Sequence, residues 1–459
     1  MESELEDLET IAELVAARTY APGMRGVAKA VADLIAEGKL VPGTRMPSIR
    51  RLAEELDISP TTVAAAWSHL ASLGSIESYG RKGTYVSARN LPSRPRRRWH
   101  YSDDSSSYHF DLSTGVPDPE LLPDPRSALN TIDLGKTASY LDPPVLSELT
   151  EEIFSLLPGS FGRFDLGLTV VDGALDAIGR VLDLLPKRPG AVAIEEPCFP
   201  ALYDLIESKG YAVHPVPLDD HGLMPGALES TLSSQRIRAL ICQPRAQNPT
   251  GVSTTAERRD QIAAVLAGHP EVYVIEDDHS ALVSESPLAS LVEKIPERTA
   301  YVLSFSKSHG PDLRLAAIVA DTAAIADLES ARTLGPSWSS KILQAILLAM
   351  LRSATTGPFV AEAARTYGER RLEVSTALGL QGVRGDGINL WVAWTDLSLL
   401  IHLAHEKIRV VPGSHFYLAG SSSAPTFRLT LGDPWNPFDV VMAALSESMS
   451  RSLAAGPYR

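Results

Sequence analysis

The chain has 459 residues, 44% of them hydrophobic, and a mean hydropathy near zero, a length that predicts two or three domains with full cores. Its apolar run over 342–351 contains Gln344 and is too short for a bilayer, its acid-rich first nine residues do not read as a signal peptide, and Cys198 and Cys242 offer neither a disulfide framework nor metal-ligand spacing. The expected compartment is therefore the cytoplasm, with no membrane and no metal. The net charge of −14 argues against nucleic acid as a single number, but residues 25–98 hold 13 Lys/Arg against 6 Asp/Glu, which leaves the acid on residues 1–24 and 99–459.

That basic stretch lies within a module predicted over 20–88. Val27 to Ala36 has helical apolar spacing and ends near Gly38. A loop punctuated by proline and glycine follows, and Ser48 is placed to cap a short helix that buries Leu52, Ala53 and Leu56. After a turn at Asp57-Ile58, Ser59-Pro60 is an N-cap followed by proline at the first helical position. The helix that this opens, Thr61 to Leu73, buries Val63, Trp67 and Leu70. Two short helices with a tight turn between them, the second presenting Thr61 and Thr62 at its start, have helix-turn-helix geometry. Ser75 to Val86 alternates and folds back through Tyr79-Gly80-Arg81-Lys82-Gly83, a two-stranded wing with a basic tip.

The ordered runs Gly43 to Ala53, Ser59 to Val63 and Gly80 to Val86 resemble the winged helix of the GntR family of bacterial regulators. The resemblance implies that Arg45, Ser48, Arg50, Ser59, Thr61 and Thr62 face duplex DNA, with Gly80, Arg81 and Lys82 reaching the adjacent groove or phosphates. One departure stands out. Proline 60 occupies a place where the family usually has an arginine, so base specificity has to come from other residues.

Residues 89–110 read as a connector, with Pro92, Pro95 and Arg96-Arg97-Arg98 giving way to Asp103-Asp104-Ser105-Ser106-Ser107. Its arginines suit either DNA phosphates or the acidic remainder of the chain.

From 111 to 459 strand-like runs alternate with helical patterns, and each run ends in polar residues. Leu166 to Val171 leads into Asp172-Gly173-Ala174, Ala191 to Ile194 into Glu195-Glu196-Pro197-Cys198-Phe199, and Ala239 to Cys242 into Gln243 to Gly251. Val272 to Ile275 leads into Glu276-Asp277-Asp278-His279, and Ala300 to Leu303 into Ser304-Phe305-Ser306-Lys307. Ligands of open α/β sheets collect at the carboxyl ends of strands, so these stretches can converge. A lysine behind a buried strand can lose its proton and condense with an aldehyde, and Ser304, Ser306 and Arg314 suit a phosphate. Alone, that stretch reads equally well as a surface lysine in a serine-rich loop.

The other stretches favour pyridoxal 5'-phosphate (PLP). Asp277 suits a pyridine nitrogen, Asn248 a ring hydroxyl, Phe199 the ring face, and the amides of Gly173 and Ala174 a phosphate at a helix start. Arg428, in the strand-like run Thr426 to Leu429, suits the carboxylate of an amino compound.

In this order the residues resemble fold-type I PLP enzymes of the aspartate aminotransferase family, whose large domain is a mostly parallel α/β sheet. Joined to a GntR-type winged helix, they resemble a MocR-type regulator. The resemblance implies a Schiff base at Lys307, a head-to-tail homodimer, and Tyr140 reaching the other subunit's phosphate. Departures are His279 in place of a tyrosine, Leu175 in place of a glutamine, Val145 in place of a glycine and Thr150 in place of an arginine. Three functions stay open on these residues: a DNA-binding regulator that senses PLP or an amino compound, an active aminotransferase with an accessory DNA-binding domain, and a regulator that keeps the large domain only as a dimer scaffold.

Overall fold

A computed structural model describes residues 11–19, 23–36, 39–40, 44–72, 76–78, 83–86, 108–132, 139–186, 190–380, 385–393, 403, 406–418, 426–432, 442–443 and 445–447. The chain divides into two compact units, Met1–Ser93 and Arg94–Arg459.

In the first unit the helices Met24–Ala36, Ile49–Glu55 and Pro60–Ser72 precede a hairpin of β1 (Ile76–Ser78) and β2 (Thr84–Val86), antiparallel with Ile76 opposite Val86. Val27, Val31 and Leu34 of the first helix meet Leu52, Val63, Trp67 and Leu70 in one core, which Ile76 and Val86 close from the hairpin. Local chemistry sets the helix starts: Ser48 Oγ accepts the Arg51 amide at 3.2 Å, and Ser59 Oγ accepts that of Thr62 at 3.2 Å. Asp57, at φ 51°, makes the turn between them. The Thr44–Met46 segment joins the hairpin through Met46 N–H to the Thr84 carbonyl (2.8 Å) and Val86 N–H to the Thr44 carbonyl (2.9 Å).

The second unit is built on an eight-stranded sheet. Its strands are β4 (Leu166–Val171), β5 (Ala191–Glu196), β6 (Ala212–Asp219), β7 (Gly222–Leu223), β8 (Ile237–Cys242), β9 (Tyr273–Asp278), β10 (Thr299–Ser304) and β11 (Ala316–Asp321), in the order β4-β11-β10-β9-β8-β5-β6-β7. Strands β10, β9, β8, β5 and β6 are mutually parallel, while β11 runs antiparallel to both β10 and β4. The central strands are apolar on both faces because both are covered. The helices Ala174–Leu184 and Pro200–Ser208 pack Ile178, Val181, Leu202 and Ile206 on one face, and Leu228, Leu232, Ile262 and Leu266 cover part of the other.

Nearer the C-terminus β12 (Asn389–Ala393), β14 (Val411–Pro412) and β15 (Thr426–Thr430) form an antiparallel sheet, and the helix Thr356–Ala377 lays Val360, Tyr367 and Val374 on its Leu390, Val392, Phe427 and Leu429. β3 (Phe110–Asp111) pairs in parallel with β13 (Ile408–Arg409), tying the junction of connector and large domain to the segment that precedes β14. No single helix among the described residues is long and apolar enough to cross a membrane.

Candidate functional site

Four neighbouring strands, β5, β8, β9 and β10, deliver their carboxyl ends to one region, as the sheet order requires. β10 ends at Ser304, and three residues later Lys307 directs Nζ to the Gly115 carbonyl at 2.5 Å. Removal from water and the nearby Arg428 cation push the lysine down to about 8, so a useful fraction is neutral amine near pH 7.

β9 ends in Asp277 and Asp278, both buried. Asp278 is fully engaged, accepting from Arg245 Nε (3.0 Å) and Nη2 (2.6 Å) and from the Tyr301 hydroxyl (2.5 Å). Asp277 is half engaged: Oδ2 accepts from Gln243 Nε2 at 2.8 Å, while Oδ1 is buried without a hydrogen-bond partner among the described residues. Burial pushes its carboxyl up to about 6, against the lowering effect of the Gln243 hydrogen bond. His279, the next residue but one, has Nε2 at 3.1 Å from Ser280 Oγ and a buried Nδ1 that likewise lacks a partner. Burial, with Lys307 and Arg428 close by, pushes this imidazole down to about 3, so it is neutral at physiological pH.

Gln243 follows β8. Its Oε1 accepts the Asn248 backbone N–H at 2.8 Å and its own backbone N–H donates to Glu195 Oε2 at 3.1 Å. Burial pushes Glu195 up to about 8. Asn248 accepts Arg428 Nη1 on Oδ1 at 3.0 Å. Arg428 sits in the middle of β15, 4% exposed, donates Nη2 to the Ser113 carbonyl at 2.6 Å and lies 5.0 Å over the Phe416 ring. Gly115, at φ 65°, lies so close that an added Cβ would be 3.1 Å from Arg428 Nη2, and its N–H donates to Thr430 Oγ1 at 2.8 Å.

A second group lies where β4 meets the helix Ala174–Leu184. Gly173 precedes that helix at φ 108°, and an added Cβ would be 2.8 Å from Arg314 Nη2. Arg314, left-handed at φ 51° and exposed, donates Nη2 to the Asp172 carbonyl at 3.3 Å. The first amides of a helix have no intrahelical acceptor, and here they lie beside that guanidinium. Ser304 is buried and accepts the Ser306 amide at 3.4 Å, Ser306 is half-buried, and Phe199 is half-buried just before the helix Pro200–Ser208.

The structure thus joins Lys307, Asn248 and Arg428 through direct contacts or the shared Gly115 turn, links Asp277 to Asn248 through Gln243, and sets Gly173 against Arg314. It does not bring Tyr140 into either group: that ring is 91% exposed and edge-on to Trp338, with centroids 5.6 Å apart. Val145 is buried in the core with Leu149 and Ile153, Thr150 Oγ1 bonds the Leu146 carbonyl at 3.4 Å, and Leu175 is 37% exposed. On the first unit Arg45, Ser48, Arg50, Ser59 and Thr61 are exposed and Thr62 is half-buried; the Ser59 hydroxyl lies 2.7 Å from that of Thr61 and 2.8 Å from that of Thr62. Gly80, Arg81 and Lys82 lie outside the described residues. Motif reading did not single out Gln243, Glu195, Ser113 or Gly115. Gln243 and Glu195 carried a signal, as polar residues that end buried runs; Ser113 and Gly115 carried none.

A winged helix-turn-helix and an aminotransferase-fold domain in one chain define a transcriptional regulator with a built-in small-molecule domain. The chain belongs to the aminotransferase class I and II family over residues 109–436 and matches the gntR family of bacterial regulatory proteins over 24–86, the pairing of a MocR-type regulator. It is 35% identical over 367 residues, 78% of this chain and 82% of the relative, to the vitamin B6 salvage pathway transcriptional repressor PtsJ of Salmonella typhimurium. It is 27% identical to the pyridoxine biosynthesis transcriptional regulator PdxR of Corynebacterium glutamicum, over 75% of this chain and 76% of that one. Among solved structures it resembles the kynurenine aminotransferase of Pyrococcus horikoshii, with a TM-score of 0.68 at 22% identity, covering 76% of this chain and 92% of that one. The alpha-aminoadipate aminotransferase of Thermus thermophilus gives 0.66 at 22% identity over 79% and 97%.

Proposed function

We propose that the chain is a PLP-responsive regulator: residues 20–88 bind an operator duplex, 89–110 connect, and 111–459 sense PLP or an amino compound presented to it. The observation that carries this reading is the pairing of a lysine held near pKa 8 with a buried Asp277 whose Oδ1 has no hydrogen-bond partner among the described residues. A buried carboxylate oxygen left without a donor is costly unless a ligand supplies one, and a protonated pyridine nitrogen does. When bound, PLP supplies an aldehyde that condenses with an amine and a ring that draws electrons.

The chain's own residues fit that group. Lys307 offers the amine; Asn248, with Oδ1 taken by Arg428, has its amide nitrogen left to donate to the ring hydroxyl; His279 lies on the same side as a neutral imidazole. Phe199 serves the ring face, and Gly173, Ala174, Ser304, Ser306 and Arg314 the phosphate. Arg428 would grip the carboxylate of an amino compound once that ligand competes for its Ser113 bond. The chain works in this reading as a head-to-tail homodimer in the cytoplasm, with exposed Tyr140 turned to the other subunit's phosphate. The names of PtsJ and PdxR tie both to vitamin B6 pathways, which supports PLP itself as a sensed compound.

An absorbance titration with PLP tests the reading. A band at about 420 nm in wild type but not in Lys307→Ala is expected, together with PLP-dependent affinity for a duplex that falls steeply with salt. Flat spectra would instead leave the large domain as a dimer scaffold. A working aminotransferase shares Lys307, Asp277 and Arg428, and sustained turnover with an amino donor and a 2-oxo acid would favour it. Val145, Thr150, Leu175 and His279, which replace residues usual in such enzymes, weigh toward sensing.

A further inference from the structure

We infer that Gln243 is the positioning residue of the cofactor ring: it holds Asp277 with Oδ1 free for the pyridine nitrogen and fixes Asn248 on the same ring. This rests on the PLP reading. Gln243 is 2% exposed, and its two amide atoms are spent on two different ring-binding residues, Nε2 on Asp277 Oδ2 (2.8 Å) and Oε1 on the Asn248 backbone N–H (2.8 Å). The Asn248 N–H can only donate, so Oε1 must face it and Nε2 must face the carboxylate; the amide has no second orientation. The strand end is itself anchored by the Gln243 N–H on Glu195.

No other described residue donates to Asp277. The titratable groups that face it are Glu195 on β5, Cys198 beyond that strand, Cys242 at the end of β8 and Asp278 beside it on β9. Burial pushes Glu195 up to about 8 and both thiols well above their usual range, so these three stay protonated near pH 7. Asp278 is occupied by Arg245 and Tyr301. Gln243 alone therefore favours the ionised form of Asp277 by hydrogen bonding, and that form is the one able to keep a ring nitrogen protonated.

The sign of the pH effect follows. The part of PLP affinity that ionised Asp277 supplies is fully present well above its pKa, about 6, and is lost as pH falls through it, beside a Lys307 dependence nearer 8 that wild type and variants share. Without the Gln243 donor that pKa rises, so the loss begins at higher pH. The test is a spectroscopic PLP titration of full-length wild type, Gln243→Leu and Gln243→Asn between pH 5.5 and 8.5, beside thermal melts. Gln243→Leu is expected to bind roughly tenfold more weakly at pH 7, with its acid limb moved up by about one unit. Gln243→Asn, which withdraws the amide by one methylene, serves if the leucine variant fails to fold and is expected to move the limb the same way. Unchanged binding, or equal weakening at every pH with no displacement of the limb, would overturn the inference while leaving the PLP reading intact. A wild type with no Lys307-dependent band would overturn both.

Discussion

The two ends of the proposed PLP site are built differently. The ring end is buried, and Lys307, Gln243, Asp277, Asn248 and Arg428 already hold partners within the chain. The phosphate end is a helix start and an exposed arginine that donates to the Asp172 carbonyl at 3.3 Å. Desolvated groups with fixed partners set which ring is accepted, whereas exposed, screened groups add affinity for the phosphate with less geometric demand. The resemblance holds at Asp277, Asn248 and Lys307, while His279 departs from it at the ring end and Leu175 beside the helix start.

That contrast can be broken at either end. Lys307→Ala should abolish the 420-nm band, the largest effect, while leaving weak PLP binding detectable by equilibrium dialysis; an unchanged band would place the amine elsewhere. Gly173→Ala forces a side chain into a φ of 108° and against Arg314. It should weaken PLP roughly 30-fold, corresponding to about 2 kcal/mol of strain and lost phosphate contact, yet leave pyridoxal without its phosphate nearly unaffected. Equal losses for both ligands in a calorimetric titration would erase the distinction between the ends. Association of PLP needs neutral amine, so with Lys307 near 8 its rate should climb about tenfold from pH 7 to pH 9 and then level off, measurable by stopped flow. A plateau already reached at pH 7 would contradict the lysine's environment. Arg314→Ala, removing an exposed cation, should cost only about fivefold, and less at high salt.

The same contrast governs what the sequence makes legible. Strands β4, β5, β8, β9 and β10 are buried on both faces and read as apolar runs that stop at polar residues, so Gly173, Glu195, Gln243, Asp277 and Ser304 fall at predictable places. β6 hides because Pro215 and Pro217 break a strand pattern. They are tolerated there because β7 pairs only Leu218 and Asp219 on the outer side. Ser113 and Gly115 were illegible for another reason: they act through backbone carbonyls, which any residue has, on side chains 315 and 192 positions away. In the first unit the caps at Ser48 and Ser59 were readable because capping is local. Val145 was legible only as a departure, and its place in the core shows why a glycine is not needed there.

The Gly115 carbonyl has a further consequence. It accepts from the nitrogen that PLP would take, and the neighbouring Ser113 carbonyl accepts from the arginine that a carboxylate would take. Both carbonyls belong to the stretch that follows the connector and begins at the short β3 pairing. On the PLP reading, a ligand at Lys307 or Arg428 would remove a tether from the backbone that follows the connector. A ligand bound there would trade places with the chain's own main chain, so these two carbonyls would act as a built-in competitor whose release is the first mechanical event that binding could produce.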